Sequence, residues 1–174
     1  MLQKFIFILL GFTLIGNAIE IGHIPPHIIL KKTNGGTTDG KAWDSKSLKG
    51  KVHTLLYMDP DKRSDSQILL DALAKLNIDN HKYSTVAIIN LAATWLPNSI
   101  LQSKLKEKQK ELKNMEYVFD KTKFLVKKWK LKDDASNVLI LDKDSKVIYQ
   151  KNGKLQPYDI KNILDIINKE VQKW

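Results

Sequence analysis

Apolar runs separated by helical patterns follow one another along most of the chain. One run, Val52 to Met58, shows no polar alternation after Thr54, which is typical of a strand covered on both faces. Residues 83–91 ("YSTVAIINL") predict a second buried strand, and residues 116–120 ("EYVFD") predict a short third one. Ile28 to Leu30 predicts a strand nearer the N-terminus. Together these runs predict a sheet whose central strands are covered on both faces.

Helical spacing of apolar residues follows each of the three later runs. From Ser66 to Leu76 the apolar residues recur at intervals of three and four, and residues 77–81 end this predicted helix. Residues 97–115 predict a longer helix, and residues 121–131 predict another. The apolar face of the longer helix consists of Leu101, Leu105, Leu112 and Met115. Strands thus alternate with helices, which favours an α/β fold.

The remaining segments complete this order of elements. Between the first two predicted strands we expect a turn at Asn34-Gly35-Gly36 and a short element from Trp43 to Leu48. Residues 137–153 predict a hairpin that turns at Asp142 to Ser145, and residues 156–174 predict a terminal amphipathic helix. The order strand, helix, strand, helix, hairpin and helix predicts a thioredoxin-like α/β sandwich, with a mixed central sheet flanked by helices.

The first eighteen residues have the pattern of a cleaved secretory signal peptide. Lys4 supplies a positive charge, and the apolar stretch from Phe5 to Ile15 is too short to cross about 30 Å of hydrocarbon. Gly16 and Ala18 then provide a small-x-small cleavage site. We therefore expect residues 1–18 to be removed and residues 19–174 to form a single thioredoxin-like domain in the bacterial periplasm, without a membrane span.

The amino-acid composition argues against two classes of function, thiol chemistry and specific nucleic-acid binding. The chain has no cysteine, which excludes disulfides and thiol catalysis. Its net charge is +10, and removing Lys4 from the 29 lysines and arginines leaves 28 against 19 acidic residues, a charge of +9. This charge reflects either overall composition or attraction to an acidic surface. Because Arg63 is the one arginine in the sequence, and bases and phosphates are mostly bound by bidentate arginine, we expect no specific nucleic-acid partner.

The polar segment after the run that ends at Met58 is the candidate functional loop. Its charged residues are Asp59, Asp61, Lys62, Arg63 and Asp65. One interpretation is a solvent-facing loop that caps the following helix with Asp65 or Ser66. The other is a polar surface at the end of a helix that recognises a partner or an anion without catalysis.

Asp59-x-Asp61 after a strand is also the arrangement found in Mg²⁺-dependent phosphatases that use an aspartate nucleophile. There the first carboxylate attacks phosphorus and the second transfers a proton. Arg63 departs from that pattern, so a divalent-metal-dependent hydrolase is the alternative function. A calcium loop is disfavoured because Ser64 and Leu70 stand where the turn glycine and the bidentate glutamate are needed.

The histidines do not form a metal-binding pattern. His23 and His27 flank an Ile-Pro-Pro segment, and two such ligands do not complete a zinc site. His53 lies in a predicted strand, where we expect a core or edge residue. The sequence therefore predicts neither a bound metal nor a cofactor.

Several segments together resemble the YtfJ family of periplasmic, thioredoxin-like proteins. They are Trp43 with "LKGKV" (residues 48–52), Asn90 after the second buried strand, "WKL" (129–131), "SNVLILDKD" (136–144) and "NGKL" (152–155). This resemblance covers nearly the whole predicted mature chain. It implies the thioredoxin-like fold and an extracytoplasmic location, but it supplies no defined reaction.

The resemblance also shows which redox groups are missing. Redox-active relatives carry C-x-x-C in the loop after Val52 to Met58 and a cis-proline before the strand Val138 to Leu141. Here those places hold "DPDKRSDS" and Ser136-Asn137, so disulfide exchange is excluded. We expect a binding or accessory module with a protein partner in the cell envelope rather than an enzyme, and the oligomeric state is left open. The candidate partner contacts are Trp95, which precedes Pro97 in a predicted loop, and Ser136 and Asn137.

Overall fold

A six-stranded sheet lies at the centre of the structure, a computed structural model that describes residues 19–112 and 114–173. The strands in chain order are β1 (Ile29–Leu30), β2 (Gly35–Thr37), β3 (Trp43–Asp44), β4 (Val52–Met58), β5 (Tyr83–Asn90), β6 (Met115–Asp120), β7 (Asn137–Leu141) and β8 (Val147–Asn152). The large sheet has the order β2-β6-β5-β4-β7-β8, and β1 pairs with β3 in a separate two-stranded sheet. β4, β5 and β6 run parallel, whereas β2, β7 and β8 pair antiparallel with their neighbours. The predicted mixed central sheet is therefore confirmed.

Helices cover both faces of this sheet. The α-helices are α1 (Gln67–Leu73), α2 (Asn98–Glu111), α3 (Phe124–Trp129) and α4 (Pro157–Val171). All seven residues of β4 are buried, since side chains alternate between the two faces and both faces are covered. Leu56 packs in the apolar core with residues of α1 and α4, and Leu55 packs in the opposite core with Trp43 and Trp129. The apolar run therefore became a central strand because it supplies both cores.

The turn predicted at Asn34-Gly35-Gly36 is wrong, because the two glycines begin an edge strand. β2 pairs antiparallel with β6, so that Gly35 lies opposite Asp120. Gly35 has a φ of 134°, and a Cβ added there would lie 1.8 Å from the carbonyl oxygen of Phe119. Only glycine allows the two backbones to approach this closely.

Two predicted helices are shorter in the structure. α1 ends at Leu73 rather than Leu76, and α2 ends at Glu111, so the predicted apolar face loses its last two members. Met115 instead begins β6, where it pairs with Thr85 of β5. The side-chain amide of Gln109 bonds to the carbonyl of Met115 and to the backbone N–H of Tyr117, each at 2.6 Å, and so attaches α2 to the new strand.

The third predicted helix is also shorter, and its start is determined by a buried carboxylate. α3 begins at Phe124 because Asp120 accepts hydrogen bonds from the backbone N–H groups of Thr122, Phe124 and Leu125. Lys123, immediately before the helix, takes a left-handed conformation with φ 54°.

The predicted leader, residues 1–18, lies outside the described residues. Within residues 19–112 and 114–173, no helix is both long enough and apolar enough to cross a membrane. The first described residue, Ile19, is buried in the core that contains Trp129, and its N–H bonds to the carbonyl of that tryptophan at 3.3 Å.

Candidate functional site

Three polar residues meet where the parallel strands end. Asp59 follows β4, Asn90 ends β5 and Asp120 ends β6, with Asn90 and Asp120 directly paired across the sheet. All three are buried, with at most 3% of their surface exposed. In open α/β sheets, ligands bind outside the carboxyl ends of the strands, so these residues mark the end of the fold where a site is expected.

Asp120 is already occupied by the protein itself. Besides the three backbone N–H groups at the start of α3, it accepts a hydrogen bond from the hydroxyl of Tyr57 at 3.1 Å. Burial raises the pKa of Tyr57 well above its usual range, and the nearby Asp120 charge adds to the effect, so the phenol stays a donor. Four donors satisfy both carboxylate oxygens, which makes Asp120 a structural anchor.

Asp59 is likewise engaged inside the fold. Its carboxylate accepts a hydrogen bond of 2.8 Å from the backbone N–H of Asp61 and caps the 3₁₀ helix Pro60–Asp65. Burial raises its pKa, and the carboxylates of Asp61 and Asp134 raise it further. The segment predicted as a solvent-facing loop is therefore a short 3₁₀ helix whose first turn is capped by Asp59.

The other charged residues of the candidate loop each have a different environment, and they do not share a partner. Asp61 is exposed and accepts a hydrogen bond from the hydroxyl of Thr94 at 2.7 Å, which joins the loop after β4 to the loop after β5. Lys62 is exposed, and Arg63 donates from Nε to Gln67 at 2.6 Å. Asp65 is partly buried, and its backbone carbonyl accepts the N–H of Leu155 at 3.0 Å.

Ser66 stands at the N-cap position of α1, but its side chain makes no capping hydrogen bond. Its hydroxyl instead lies 3.1 Å from the hydroxyl of Ser136, and both residues are buried. The predicted side-chain cap is therefore wrong, because Ser136 competes for that hydroxyl. Two serines face each other here, and no peptide bond among the described residues is cis.

Ser136 and Asn137 are not surface residues, which corrects their assignment as partner contacts. Ser136 is 0% exposed and Asn137 is 4% exposed. The amide of Asn137 accepts the N–H of Lys132 and donates to its carbonyl, both at 2.9 Å. These side chains fix the segment before β7 and leave no surface for another protein to contact.

The geometry gives no support to the metal-dependent hydrolase. Asp59 is a buried cap that accepts the N–H of Asp61, and Asp61 is an exposed residue bonded to Thr94, so each carboxylate is engaged within the fold. Across the described part of the chain, no group of three or more histidine, cysteine, aspartate or glutamate side chains is placed to hold a metal ion.

Trp95 is exposed, as its position before Pro97 suggested, whereas Trp43 and Trp129 are core residues. The exposed fraction of Trp95 is 83%, and the neighbouring Leu96 and Ile100 are 40% and 53% exposed. We call Trp95, Leu96 and Ile100 the apolar ridge. It lies beside the candidate loop because Thr94 bonds both to Asp61 and, through its hydroxyl oxygen, to the N–H of Leu96.

A cavity of about 290 Å³ lies between the 3₁₀ helix, α1, α2 and the sheet, and Leu96 and Ile100 of this ridge form part of its wall. Its wall is largely apolar, and Arg63, Lys104, Lys108 and Tyr117 also line it. The sequence pattern did not indicate this cavity, since its lining residues are spread from β4 to β6. One signal was available in the sequence: the segment that forms α2 has few apolar residues, namely Ile100, Leu101 and Leu105.

Comparisons with known proteins place these features in context. A family described as "Bacterial protein of unknown function (YtfJ_HI0045)" matches residues 27–170. The uncharacterized protein YtfJ of Escherichia coli (strain K12) is 26% identical over 133 residues, which cover 74% of this chain and 72% of that protein. An uncharacterized protein of Haemophilus influenzae is 25% identical over 138 residues, which cover 78% of this chain and 75% of that protein.

Solved structures resemble the fold at low sequence identity. The thiol peroxidase of Chromobacterium violaceum has a TM-score of 0.62 at 12% identity, covering 88% of this chain and 89% of that one. The exposed lipoprotein thioredoxin of Streptococcus pneumoniae has a TM-score of 0.56 at 18% identity, covering 82% and 98%. The predicted thioredoxin-like fold is thereby confirmed, while the thiol chemistry named for those proteins has no cysteine to perform it here.

Proposed function

We propose that this chain, which belongs to the YtfJ family of bacterial proteins of unknown function, is an exported binding module that acts in the periplasm without redox chemistry. The family resemblance predicted from the sequence is confirmed by the match over residues 27–170. The absence of cysteine excludes thiol–disulfide exchange on chemical grounds. The N-terminal pattern of Lys4, an apolar stretch and Ala18 supports export.

The observation that carries a binding function is the exposure of Trp95. A tryptophan buries much apolar area when it is covered, so one that is 83% exposed leaves that free energy available to an interaction. Tryptophan is also enriched among the residues that dominate protein–protein binding energy. Leu96 and Ile100 extend the same apolar ridge, as expected for the centre of an interface.

The ridge is held in place before any partner arrives. The 2.7 Å hydrogen bond between Thr94 and Asp61 joins its loop to the 3₁₀ helix, which Asp59 caps from below. A contact surface fixed in this way loses little conformational entropy on association. The candidate loop therefore has a role in this proposal as the support of Trp95, and the partner is a protein of the cell envelope.

Site-specific photo-crosslinking in living cells tests the proposal. A photoreactive residue placed at Trp95 is expected to give a discrete adduct in the periplasmic fraction. Tyr158, which is 67% exposed on α4, is the matched control position and should give no such adduct. With the purified partner, Trp95→Ala should weaken binding about 30-fold, since a hot-spot residue contributes about 2 kcal/mol.

Fractionation of the same cells measures the compartment in which the protein resides. The mature protein in that fraction is expected to begin at Ile19, which N-terminal sequencing or intact mass would determine. A chain that keeps residues 1–18 and stays in the cytoplasm would contradict export. Equal adducts from Trp95 and Tyr158, or an affinity unchanged by Trp95→Ala, would contradict the assignment of the ridge as the contact surface.

A further inference from the structure

The cavity beneath α2 is built as an apolar chamber. Its wall includes Met58, Leu70, Ile89, Leu101 and Leu105, which come from β4, α1, β5 and α2. At about 290 Å³ it is close to the lower limit of roughly 300 Å³ for small-molecule sites. Leu101 and Leu105 are only partly buried although they face the core, because α2 stands over the cavity instead of packing fully against the sheet. This chamber accommodates a single slender apolar group.

A polar atom faces this chamber without a partner. Tyr117 on β6 is 2% exposed and lines the cavity, yet its hydroxyl makes no hydrogen bond to any of the described residues. The two other tyrosines buried in the sheet are bonded: Tyr57 donates to Asp120 at 3.1 Å and Tyr83 donates to Thr54 at 2.8 Å. The hydroxyl can therefore donate to an acceptor that enters the cavity.

Three cations converge on the same chamber, and its lining residues in the described chain include no acid. Arg63 is oriented by Gln67, which accepts from its Nε at 2.6 Å and in turn donates to Asp71 at 2.6 Å. Lys104 and Lys108 are four residues apart on α2, where like charges destabilise a helix. A bound anion would relieve that repulsion.

Arg63 and Tyr117 face a common region although 54 residues separate them in the sequence. Burial raises the pKa of Tyr117, so the phenol is protonated and can donate; the guanidinium of Arg63 is close enough to oppose that shift. A guanidinium and a phenol hydroxyl that line the same cavity are suited to the two oxygens of a carboxylate.

We propose that this cavity binds a medium-chain fatty acid, whose carboxylate is held by Arg63 and Tyr117 and whose alkyl chain packs against the leucines of α1 and α2. Charge complementarity argues for the anionic head, and the apolar wall and small volume argue for a single alkyl chain. The inference goes beyond the proposed function. Leu96 and Ile100 of the apolar ridge also line the cavity, whereas Trp95 does not, so substitution of Trp95 separates the two proposals.

Isothermal titration calorimetry with decanoate and the purified protein is the direct test. We expect saturable one-to-one binding that tightens about fourfold for each methylene added from hexanoate to decanoate, the gain for burying a methylene group. Decanol, which lacks the charge, should bind at least about tenfold more weakly because charge-assisted hydrogen bonds are lost. A decyl ammonium ion should not bind.

Matched variants test which residues bind the carboxylate of the ligand. Arg63→Gln should weaken decanoate about tenfold or more, and Tyr117→Phe, which keeps the ring and removes only the hydroxyl, about threefold to tenfold. Lys62→Gln removes the adjacent cation, which does not line the cavity, and should leave the affinity unchanged. Leu105→Trp fills the chamber without changing charge and should abolish binding. Circular dichroism of each variant establishes that the fold is retained.

Several outcomes would overturn the proposal. They are the absence of saturable decanoate binding, equal binding of decanol, and equal losses in Arg63→Gln and Lys62→Gln. Binding of a synthetic peptide of residues 1–18 in place of decanoate, or dimerisation that Leu105→Trp abolishes, would assign the chamber to another occupant. Trp95→Ala should leave decanoate binding intact, so the partner surface and the fatty-acid site can fail independently.

Discussion

Replacement of Asp120 by asparagine would show whether the buried carboxylate at the end of the sheet is there for stability. Asp120→Asn keeps the size of the side chain but replaces one carboxylate oxygen with an amide nitrogen. The amide nitrogen is a donor and cannot accept a hydrogen bond. In one orientation of the amide it would face the hydroxyl of Tyr57 and the N–H of Leu125, and in the other it would face the N–H groups of Thr122 and Phe124.

The magnitude follows from the number of bonds lost. In either orientation of the amide, two hydrogen bonds to a charged acceptor disappear, and each contributes about 1.5–3 kcal/mol. Because Asp120 is 0% exposed, water cannot replace them. We expect Asp120→Asn to lower the free energy of unfolding by about 3–6 kcal/mol, and the melting temperature of a chain of this size by roughly 10–20 °C.

Urea denaturation followed by circular dichroism measures this change. Asp144→Asn is the matched control, since Asp144 is exposed in the β7–β8 hairpin, and it should cost less than about 0.5 kcal/mol. Tyr57→Phe removes one of the four donors and should cost about 1.5–3 kcal/mol on its own. A loss below about 0.5 kcal/mol for Asp120→Asn would refute the anchoring role and return this carboxylate to the list of functional candidates.

Two further predictions concern pH and the edge strand. Burial lowers the pKa of His53 from 6.5 to about 4, so below pH 6.5 the unfolded chain binds more protons than the folded one, and the free energy of unfolding decreases as the pH is lowered. Between about pH 7 and pH 4.5, the free energy of unfolding should decrease by about 2–3 kcal/mol less in His53→Gln than in the parent protein. An equal dependence of this free energy on pH in the two proteins would contradict the role given to His53. Gly35→Ala should cost at least about 3 kcal/mol through its clash with β6, whereas Gly40→Ala, at φ 85° with no atom within 4 Å, should cost about 1–2 kcal/mol. Equal losses in thermal melts would contradict a role for close backbone approach.

Much of the fold followed from local patterns in the sequence. The run from Val52 to Met58 is the central strand β4 because an unbroken apolar segment can bury both of its faces. The turn at Asp142 to Ser145 was also predicted from adjacent residues. Each of these features depends on neighbours within a few positions, so the sequence alone is sufficient to predict it.

Errors arose where a distant segment competes for a local group. Gly35 and Gly36 have the composition of a turn, but β6, more than 80 residues later, pairs with them and makes them an edge strand. Ser66 has the position of a helix cap, but the hydroxyl of Ser136 takes its side chain. Local propensity is worth about 1 kcal/mol or less, so tertiary contacts readily override it.

The sequence by itself therefore determined the class of fold, the order of the main elements and the loss of redox chemistry, since a chain without cysteine has no thiol in any conformation. Only the tertiary structure decided which charged residues form a site. In the folded chain Asp59 is a buried cap, and Arg63 and Tyr117 line the same cavity next to α2. Such an arrangement depends on sheet order and helix placement, which are set by packing of the whole core rather than by any local run of residues.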